Sequence, residues 1–358
     1  MTASSAEAEV KRSQALGAAV DLGYEAVVAS DPATVRWLLC GRGRPVSVTG
    51  PEAEYTVVLV GGRGTVLFPD IEASRVAAEE RLEELGYVPL PFAWHEGRAG
   101  AVEELVGESG ALAGAALATA LAPSRRTLLE PERERLRRAG ADVAAALVET
   151  LGRLSPGDLE RDVAAELAHQ CRRRGFVPPV VLVAGEERQP VHRHPLPTDA
   201  RLGRHALLAV TAEREGLHVS ITRLTSFGPP PAELERLVQA TAEVDAAVLT
   251  ASRPGRTLGE AFTVLEETYA RLGFPEEWRR HHQGGLTGYQ GREVFAVPGE
   301  PTPIPESAAV AWNPSITGGA KSEDTALVSD EGVEVVTRTP GLPEITVNGL
   351  ARPGIAQL

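Results

Sequence analysis

Apolar and polar residues in the first third of the chain alternate between short apolar runs and longer stretches with helical spacing. Short runs bounded by Gly, Pro or Asp are typical of β-strands, and two of them flank a Gly-Gly-Arg turn that predicts a hairpin. The predicted strands of this part are residues 25–30, 55–60 and 64–68. Residues 71–85 have the apolar spacing of a helix that ends before Gly86. The alternation favours a small α/β domain.

Longer helical patterns begin after residue 125. Glu130-Pro131 places proline in the first turn of a helix, and Ser155-Pro-Gly-Asp158 supplies cap residues for the next. The predicted helices are residues 130–151, a helix that starts near 155–158, residues 233–251 and residues 258–272. The predicted strands are residues 180–184, 205–211 and 219–223, followed by a strand-rich tail from Val294. We predict a mixed α/β (α+β) chain with two domains, residues 1–125 and residues 126–358.

Composition narrows the class of protein further. The chain has 358 residues, 43% of them hydrophobic, and a net charge of −13 without a basic stripe, which argues against a nucleic-acid partner. Cys40 and Cys171 do not suffice for a disulfide framework or a thiolate metal cluster, so we interpret them as buried thiols. The N-terminus is polar, and the longest apolar stretch is shorter than the ~20 residues of a membrane span. We expect a soluble cytoplasmic protein without membrane contact.

Five segments of the second part carry the most specific information. They contain, in order, a His-Pro segment, a hairpin that ends in Thr-Arg, a His- and Gly-rich segment, Trp-Asn-Pro, and a final Glu-Asp-Thr. These segments are residues 193–199, 216–223, 281–293, 312–314 and 321–325. Their order resembles the pita-bread family that includes methionine aminopeptidase, aminopeptidase P, prolidase and creatinase. Residues 1–125 resemble the N-terminal domain of that family, with Val35-Arg-Trp-Leu38 at the place of a strand that enters a loop.

The resemblance also shows what this sequence lacks. Metal-dependent members use two Asp, one His and two Glu to hold two divalent ions, which need such oxygen-rich sets. The corresponding positions here are Ala209, Ser220, Gly285, Asn313 and Glu323. A single carboxylate cannot hold two divalent cations, so we expect no metal and no other cofactor.

A substitute metal site is the alternative to that expectation. Glu213, Glu215 and His218 lie close together in sequence near the predicted hairpin tip and could form one. A solvated hairpin tip explains these three residues better.

The retained polar residues resemble the arrangement in creatinase, the family member that works without metal. Tyr289-x-Gly291-Arg292-Glu293 matches a Gly-Arg-Glu segment there, and the resemblance implies that Arg292 holds the substrate carboxylate in a planar fork. His194 is placed to exchange protons, His281 to orient a carbonyl oxygen, and Glu323 to bind a cationic group. The candidate catalytic residues are His194, His281 and Glu323, and the candidate substrate-binding residues are Arg292, His282, Tyr289, Asn313 and Ser220.

Structural roles remain open for several of these residues. His281 and His282 are adjacent, so at most one would face the cavity if they lie on a strand, and family position favours His281. Arg292 could instead pair with Glu293, and Glu323 could pair with Lys321 or Arg223. Asn313 and Ser220 could merely fill the volume of the missing ions.

Three functions follow from these observations. The leading hypothesis is a metal-independent, creatinase-like hydrolase or lyase that cleaves a C–N bond of a small carboxylate-bearing or peptide-like substrate. The hairpin offers Ser220 and Ile221 in place of a second carboxylate, so creatine itself is not the expected substrate. The alternatives are a dipeptidase with an atypical metal site and an inactive pseudo-peptidase that binds small molecules or peptides. The resemblance further implies a homodimer.

Overall fold

The computed structural model describes residues 5–47, 50 and 53–358. The chain divides into two compact units, residues 1–131 with 215–217 and residues 132–214 with 218–358. The sequence predicts a domain boundary after residue 125, and the assignment of the first segment as a creatinase-type N-terminal domain stays a prediction. No helix among the described residues is long and apolar enough to cross a membrane.

The first unit is built around a five-stranded mixed sheet in the order β4-β3-β2-β1-β5. Its strands are β1 (Ala26–Ala29), β2 (Thr56–Val60), β3 (Arg63–Pro69), β4 (Tyr87–Phe92) and β5 (Ala111–Ala113). Its α-helices are α1 (Ser5–Asp21), α2 (Pro32–Leu38), α3 (Ala73–Arg75), α4 (Ala99–Val106) and α5 (Gly114–Arg126). The predicted strand 25–30 and the hairpin 55–68 are confirmed, because β2 and β3 pair antiparallel across the turn.

Two local predictions in this unit are wrong. Val35–Leu38 is interpreted from sequence as a strand, but it lies in α2, where the Asp31 carboxylate accepts a hydrogen bond from Thr34 N at 2.9 Å and caps the helix. Residues 71–85 form short segments instead of one helix. Arg81 has a φ of 45° and interrupts them, separating the π-helical Val76–Glu80 from the 3₁₀ turn Leu82–Leu85.

The second unit contains longer helices and several short strands. Its helices are α6 (Glu130–Leu151, which begins at the division), α7 (Glu160–Arg173), α8 (Ala232–Ala251) and α9 (Leu258–Arg271). Its longer strands are β6 (Val177–Gly185), β7 (His205–Arg214) and β8 (Leu217–Ser226). The shorter strands are β9 (Gly284–Thr287), β10 (Val294–Phe295), β11 (Ala308–Trp312), β12 (Ser315–Ile316), β13 (Ala320–Lys321), β14 (Asp324–Ser329), β15 (Gly332–Val335), β16 (Glu344–Val347), β17 (Leu350–Pro353) and β18 (Ile355–Gln357). The predicted helices and strands of this part are confirmed, with shifts of a few residues at their ends.

Two sheets of the second unit position the site. One has the order β10-β9-β11-β14-β15 and the other β18-β8-β7-β6. Apolar faces of α8, α9 and the first sheet form the core of the unit, in which Trp312 and Tyr269 are fully buried. An isolated antiparallel bridge joins Thr222 of β8 to Glu323, just before β14.

Candidate functional site

Strand register brings the predicted site segments to one end of the sheet β10-β9-β11-β14-β15 in the second unit. Trp312, the last residue of β11, pairs with Gly284 at the start of β9 and with Asp324 at the start of β14. The residues just beyond this row, Asn313 and Glu323, therefore meet at the same edge. The Asn313 N–H donates to the carbonyl oxygen of Gln283 at 2.9 Å, which fixes the turn beside this row.

A cavity of about 640 Å³ opens at this edge. That volume is in the range of sites for small organic ligands. Its polar lining includes His194, His282, Arg292, Asn313, Lys321 and Glu323, and its other lining residues are Pro179, Val180, Leu182, Ala209, Val210, Thr211, His218, Gly291 and Phe295. The cavity thus has an ionic end and an apolar wall supplied largely by β6 and β7.

The segment 321–324 alternates between the cavity and the interior, as an extended chain does. Lys321 and Glu323 line the cavity, whereas Ser322 and Asp324 face a buried ionic network. There the Ser322 hydroxyl donates to Asp245, and Arg352 donates to Asp245 and to Asp324 at 2.6 Å each. This network anchors the segment from behind, so that the two cavity residues have little freedom to move.

Glu323 holds the ionic end together. Its Oε1 lies 3.3 Å from Arg292 Nη2, and its Oε2 lies 3.2 Å from Lys321 Nζ and accepts from the Thr222 hydroxyl at 2.6 Å. Burial would raise the pKa of this carboxyl, but the charges of Lys321 and Arg292 and the hydrogen bonds outweigh burial and lower the pKa to about 2. Glu323 is therefore an anion throughout the physiological range, with partners on both oxygens.

Arg292 is held in place by short contacts at several points. Its side chain is 7% exposed; it donates to the Gly291 carbonyl oxygen at 2.6 Å and to the Ser220 hydroxyl at 3.4 Å. Burial lowers the pKa of the guanidinium, while Glu323 opposes that shift. Ser220 does not line the cavity; it is buried and also shares a hydrogen bond with Thr211 at 2.9 Å. Ser220 thus supports Arg292, and the predicted pairing of Arg292 with a carboxylate involves Glu323.

Three imidazole rings cluster beside this ionic end. His194 lies 5.6 Å from His281 and 5.4 Å from His282, ring centre to ring centre, and His282 packs edge-on against Phe295 at 4.9 Å. Burial, followed by the charge of Arg292, lowers the pKa of His282 to about 4, and burial with the charge of Lys321 lowers that of His194. Both rings keep solvent-exposed edges, and both are neutral imidazoles at pH 7.

His282 rather than His281 faces the cavity, contrary to the preference from family position. His281 lies behind the lining, where its Nε2 is 2.6 Å from the Ser315 hydroxyl. Burial is the main cause that lowers the His281 pKa to about 2. A catalytic role for His281 stays a prediction, and its described contacts fit better with orienting the neighbouring ring of His194.

Tyr289 is also placed away from the cavity lining. It is 3% exposed; its hydroxyl donates to Glu132 Oε1 at 2.7 Å and accepts from Arg135 at 3.3 Å. These partners belong to the first turns of α6, so Tyr289 fastens the β9–β10 connection to a helix. The sequence pattern Tyr-x-Gly-Arg-Glu did not distinguish this packing role from contact with a substrate.

Asn313 lines the cavity, but its side-chain oxygen is buried and unsatisfied. It is 2% exposed, and its Oδ1 has no hydrogen-bond partner within the part of the chain that the structure describes. A buried acceptor without a partner costs about 1–3 kcal/mol. Because this oxygen is buried, a ligand would reach it only after the Asn313 side chain moved.

The residues present do not fit a two-metal centre. Beyond Glu323, the corresponding positions have no carboxylate or imidazole: Ala209 and Asn313 line the cavity, and Ser220 lies behind it. A side chain at Gly285 is sterically excluded, because a Cβ there would lie 2.0 Å from the Val294 carbonyl oxygen at a φ of +147°. Among the described residues, no group of three or more His, Cys, Asp or Glu could hold a metal ion, which also argues against the hairpin-tip alternative.

Several lining residues are not among those predicted from the sequence. The sequence suggests Lys321 only as a partner for Glu323, although its position two residues earlier on an extended segment puts it on the same face. Phe295 and the apolar residues of β6 could not be found, because nothing in an apolar strand distinguishes a cavity wall from core.

The family of the chain follows from comparison with known proteins. Residues 134–330, more than half of the chain, match the model of metallopeptidase family M24, and the chain belongs to that family. Its fold is the pita-bread fold of prolidases and related dipeptidases.

Individual relatives are similar at lower levels of identity. The probable dipeptidase PepE of Mycobacterium tuberculosis is 26% identical over 220 residues, which cover 59% of this chain and 58% of that protein, somewhat more than half its length. The crystal structure of dipeptidase PepE from Mycobacterium ulcerans superposes with a TM-score of 0.75 at 20% identity over 99% of both chains. The prolidase structure from Pyrococcus horikoshii has a TM-score of 0.75 at 18% identity, covering 92% of this chain and 98% of its own.

Proposed function

We propose that the protein hydrolyses a C–N bond of a small carboxylate-bearing substrate, such as a dipeptide or an N-acyl amino acid, without a metal ion. Membership of a peptidase family and similarity to dipeptidases support the bond type. The observation that carries the metal-independent part is the ionic end of the cavity, where Lys321 and Arg292 flank the one retained acid, Glu323. Side-chain cations thus flank the one position at which this chain keeps the acid of the resemblance.

The charge balance of the cavity favours an anionic ligand. Lys321 and Arg292 contribute two positive charges and Glu323 one negative charge, while His194 and His282 are neutral at pH 7. One positive charge is left over among these three buried ionic side chains. A carboxylate of the substrate would neutralise it, and the planar guanidinium of Arg292 matches carboxylate geometry.

Neutral imidazoles suit the proton transfers of hydrolysis. His282 or His194 would accept a proton from water as the water oxygen attacks the carbonyl carbon. The imidazolium would then return that proton to the nitrogen as the C–N bond breaks, so that protons and electrons balance. General acid–base catalysis of this kind is typically worth about 10²–10⁴-fold.

The apolar wall predicts the body of the substrate. Val180, Leu182, Val210 and Phe295 are apolar residues of the cavity lining. An apolar side chain would therefore be preferred beside the carboxylate, and the apolar wall disfavours strongly basic substrates such as guanidines.

A substrate panel with a chelator present tests the proposal. Dipeptides and N-acyl amino acids with apolar side chains should be cleaved at rates that EDTA leaves unchanged, and the double variant H194Q/H282Q should be slower by at least about 100-fold. His192 lies in the same loop as His194 but is not part of the cavity lining. H192Q is therefore the matched control and should keep full activity. Activity that chelation abolishes and Mn²⁺ or Zn²⁺ restores would instead support a dipeptidase with an atypical metal site.

A non-catalytic binding protein is the second candidate. It is favoured by the partners on both oxygens of Glu323, which leave this acid unsuited to act as a base. This candidate requires that small carboxylates stabilise the protein while no member of the panel is cleaved. Ligand at 100 times its Kd would add about 2.7 kcal/mol to the free energy of unfolding. Homodimer formation and a cytoplasmic location stay predictions.

A further inference from the structure

Lys321 has the most unusual environment of the charged residues at the cavity. The chain contains two lysines, Lys11 and Lys321, among 36 basic residues. Lys321 is buried, with 5% of its side chain exposed, and lines the cavity beside Glu323. Buried lysines are rare unless a partner or a ligand compensates for the loss of hydration.

Neutralisation of Glu323 does not by itself account for Lys321. Arg292 already supplies one positive charge to the Glu323 carboxylate, at 3.3 Å. A second buried cation costs several kcal/mol of desolvation and leaves an excess charge, because one carboxylate cannot balance both. An anionic ligand group would remove that excess.

The geometry suits simultaneous contact with such a group. Glu323 holds Arg292 through Oε1 and Lys321 through Oε2, so one carboxylate fixes both cations at the same end of the cavity. An ammonium has three N–H donors, and the contact with Glu323 uses one of them. Asn313 lines the same cavity, although its unpartnered Oδ1 is itself buried.

We propose that Lys321 and Arg292 form a two-cation clamp, bridged by Glu323, which holds the carboxylate of the ligand and makes Lys321 a specificity-determining residue. The ligand class is a small carboxylate with an apolar side chain. This inference rests on the site of the proposed function but concerns binding and does not require turnover.

Binding of an acid and its amide tests the clamp directly. N-acetyl-L-leucine and N-acetyl-L-leucinamide share an apolar side chain and an N–H group and differ in the carboxylate. Isothermal titration should show that the wild-type protein binds the acid at least tenfold more tightly than the amide. K321M should lose most of that preference, and K321R should retain it, because the positive charge is preserved.

Lys11→Met is the matched control. Lys11 also forms a buried ion pair, 2.7 Å from Glu7, but it belongs to the other compact unit and lines no part of this cavity. K11M should therefore share any general cost of removing a buried lysine, measured by thermal unfolding, while keeping the acid-over-amide preference. NMR titration of the imidazoles should also show higher pKa values for His194 and His282 in K321M, since the Lys321 charge lowers both.

The outcomes separate this inference from the proposed function. A tenfold preference that K321M abolishes and K11M retains supports the clamp, even if no substrate in the panel is cleaved. Equal binding of acid and amide by the wild-type protein overturns the clamp. An unchanged preference in a folded K321M overturns it as well, whether or not the enzyme is active.

Discussion

Replacement of Glu323 by glutamine should expose the cost of two buried cations without their shared anion. The wild-type carboxyl has a pKa of about 2, against an ordinary value of 4.5. This depression corresponds to roughly 3 kcal/mol of stability at neutral pH, since each pKa unit is worth about 1.4 kcal/mol. E323Q leaves Lys321 and Arg292 without that charge, and breaking a buried ion pair from one side typically costs about 3–5 kcal/mol. The value from the pKa and the value from the broken ion pair therefore agree on the size of the loss in unfolding free energy.

The pH dependence supplies the sharper test of this variant. A folded-state pKa below the unfolded value stabilises above about pH 4.5, and that stability is lost as pH falls toward 2. The gap in unfolding free energy between wild type and E323Q should therefore shrink by roughly 2 kcal/mol between pH 7 and pH 3. Urea unfolding at several pH values measures the gap.

An exposed ion pair in the same unit provides the control for E323Q. Glu334 lies 3.0 Å from Arg137, with about half of its side chain exposed. E334Q should cost less than about 1 kcal/mol, because exposed pairs are worth little. The difference in unfolding free energy between wild type and E323Q could prove equally small, or could stay the same between pH 7 and pH 3. Either result would refute the conclusion that Glu323 is a buried anion that stabilises Lys321 and Arg292.

Three further outcomes are expected. If His282 is the general base, kcat/KM should rise with pH around about 4 and level off before pH 7, whereas a half-maximal value near pH 6.5 would indicate an unperturbed imidazole. Gly285→Ala should destabilise the protein by roughly 2–5 kcal/mol in urea unfolding, because of the contact with the Val294 carbonyl and the positive φ; a cost under 1 kcal/mol would contradict this. R352M should lower the free energy of unfolding by about 3–5 kcal/mol, since it leaves the buried Asp245 without its cation, and a neutral effect in thermal unfolding would argue against this network.

Much of the fold could be predicted because the second part of the chain has strong periodic patterns and ordered motifs. The helices 130–151 and 233–251 have clear apolar spacing, and α6 and α8 match them closely. The strand predicted at Val35 was wrong because the capping by Asp31 and the first-turn proline outweigh a short apolar run. Such short segments lack the length that separates strand from helix in a sequence.

Site residues could be predicted from the sequence only where the position in a motif determines the direction in which the side chain points. Arg292, Asn313 and Glu323 lie at the cavity as expected. Tyr289 and His281 turned away, since the sequence does not show which of two adjacent side chains packs inward or which helix is available to receive it. The role proposed for Lys321 follows from the balance of charges around Glu323. That balance depends on distances between side chains, which a sequence does not contain.

The most direct test is a crystal structure of the protein soaked with N-acetyl-L-leucine and Mn²⁺. Carboxylate oxygens of the ligand should lie about 2.7–3.2 Å from Lys321 Nζ and the Arg292 guanidinium, with no Mn²⁺ bound in the cavity. A pair of Mn²⁺ ions coordinated by Glu323, with Lys321 displaced, would contradict this prediction.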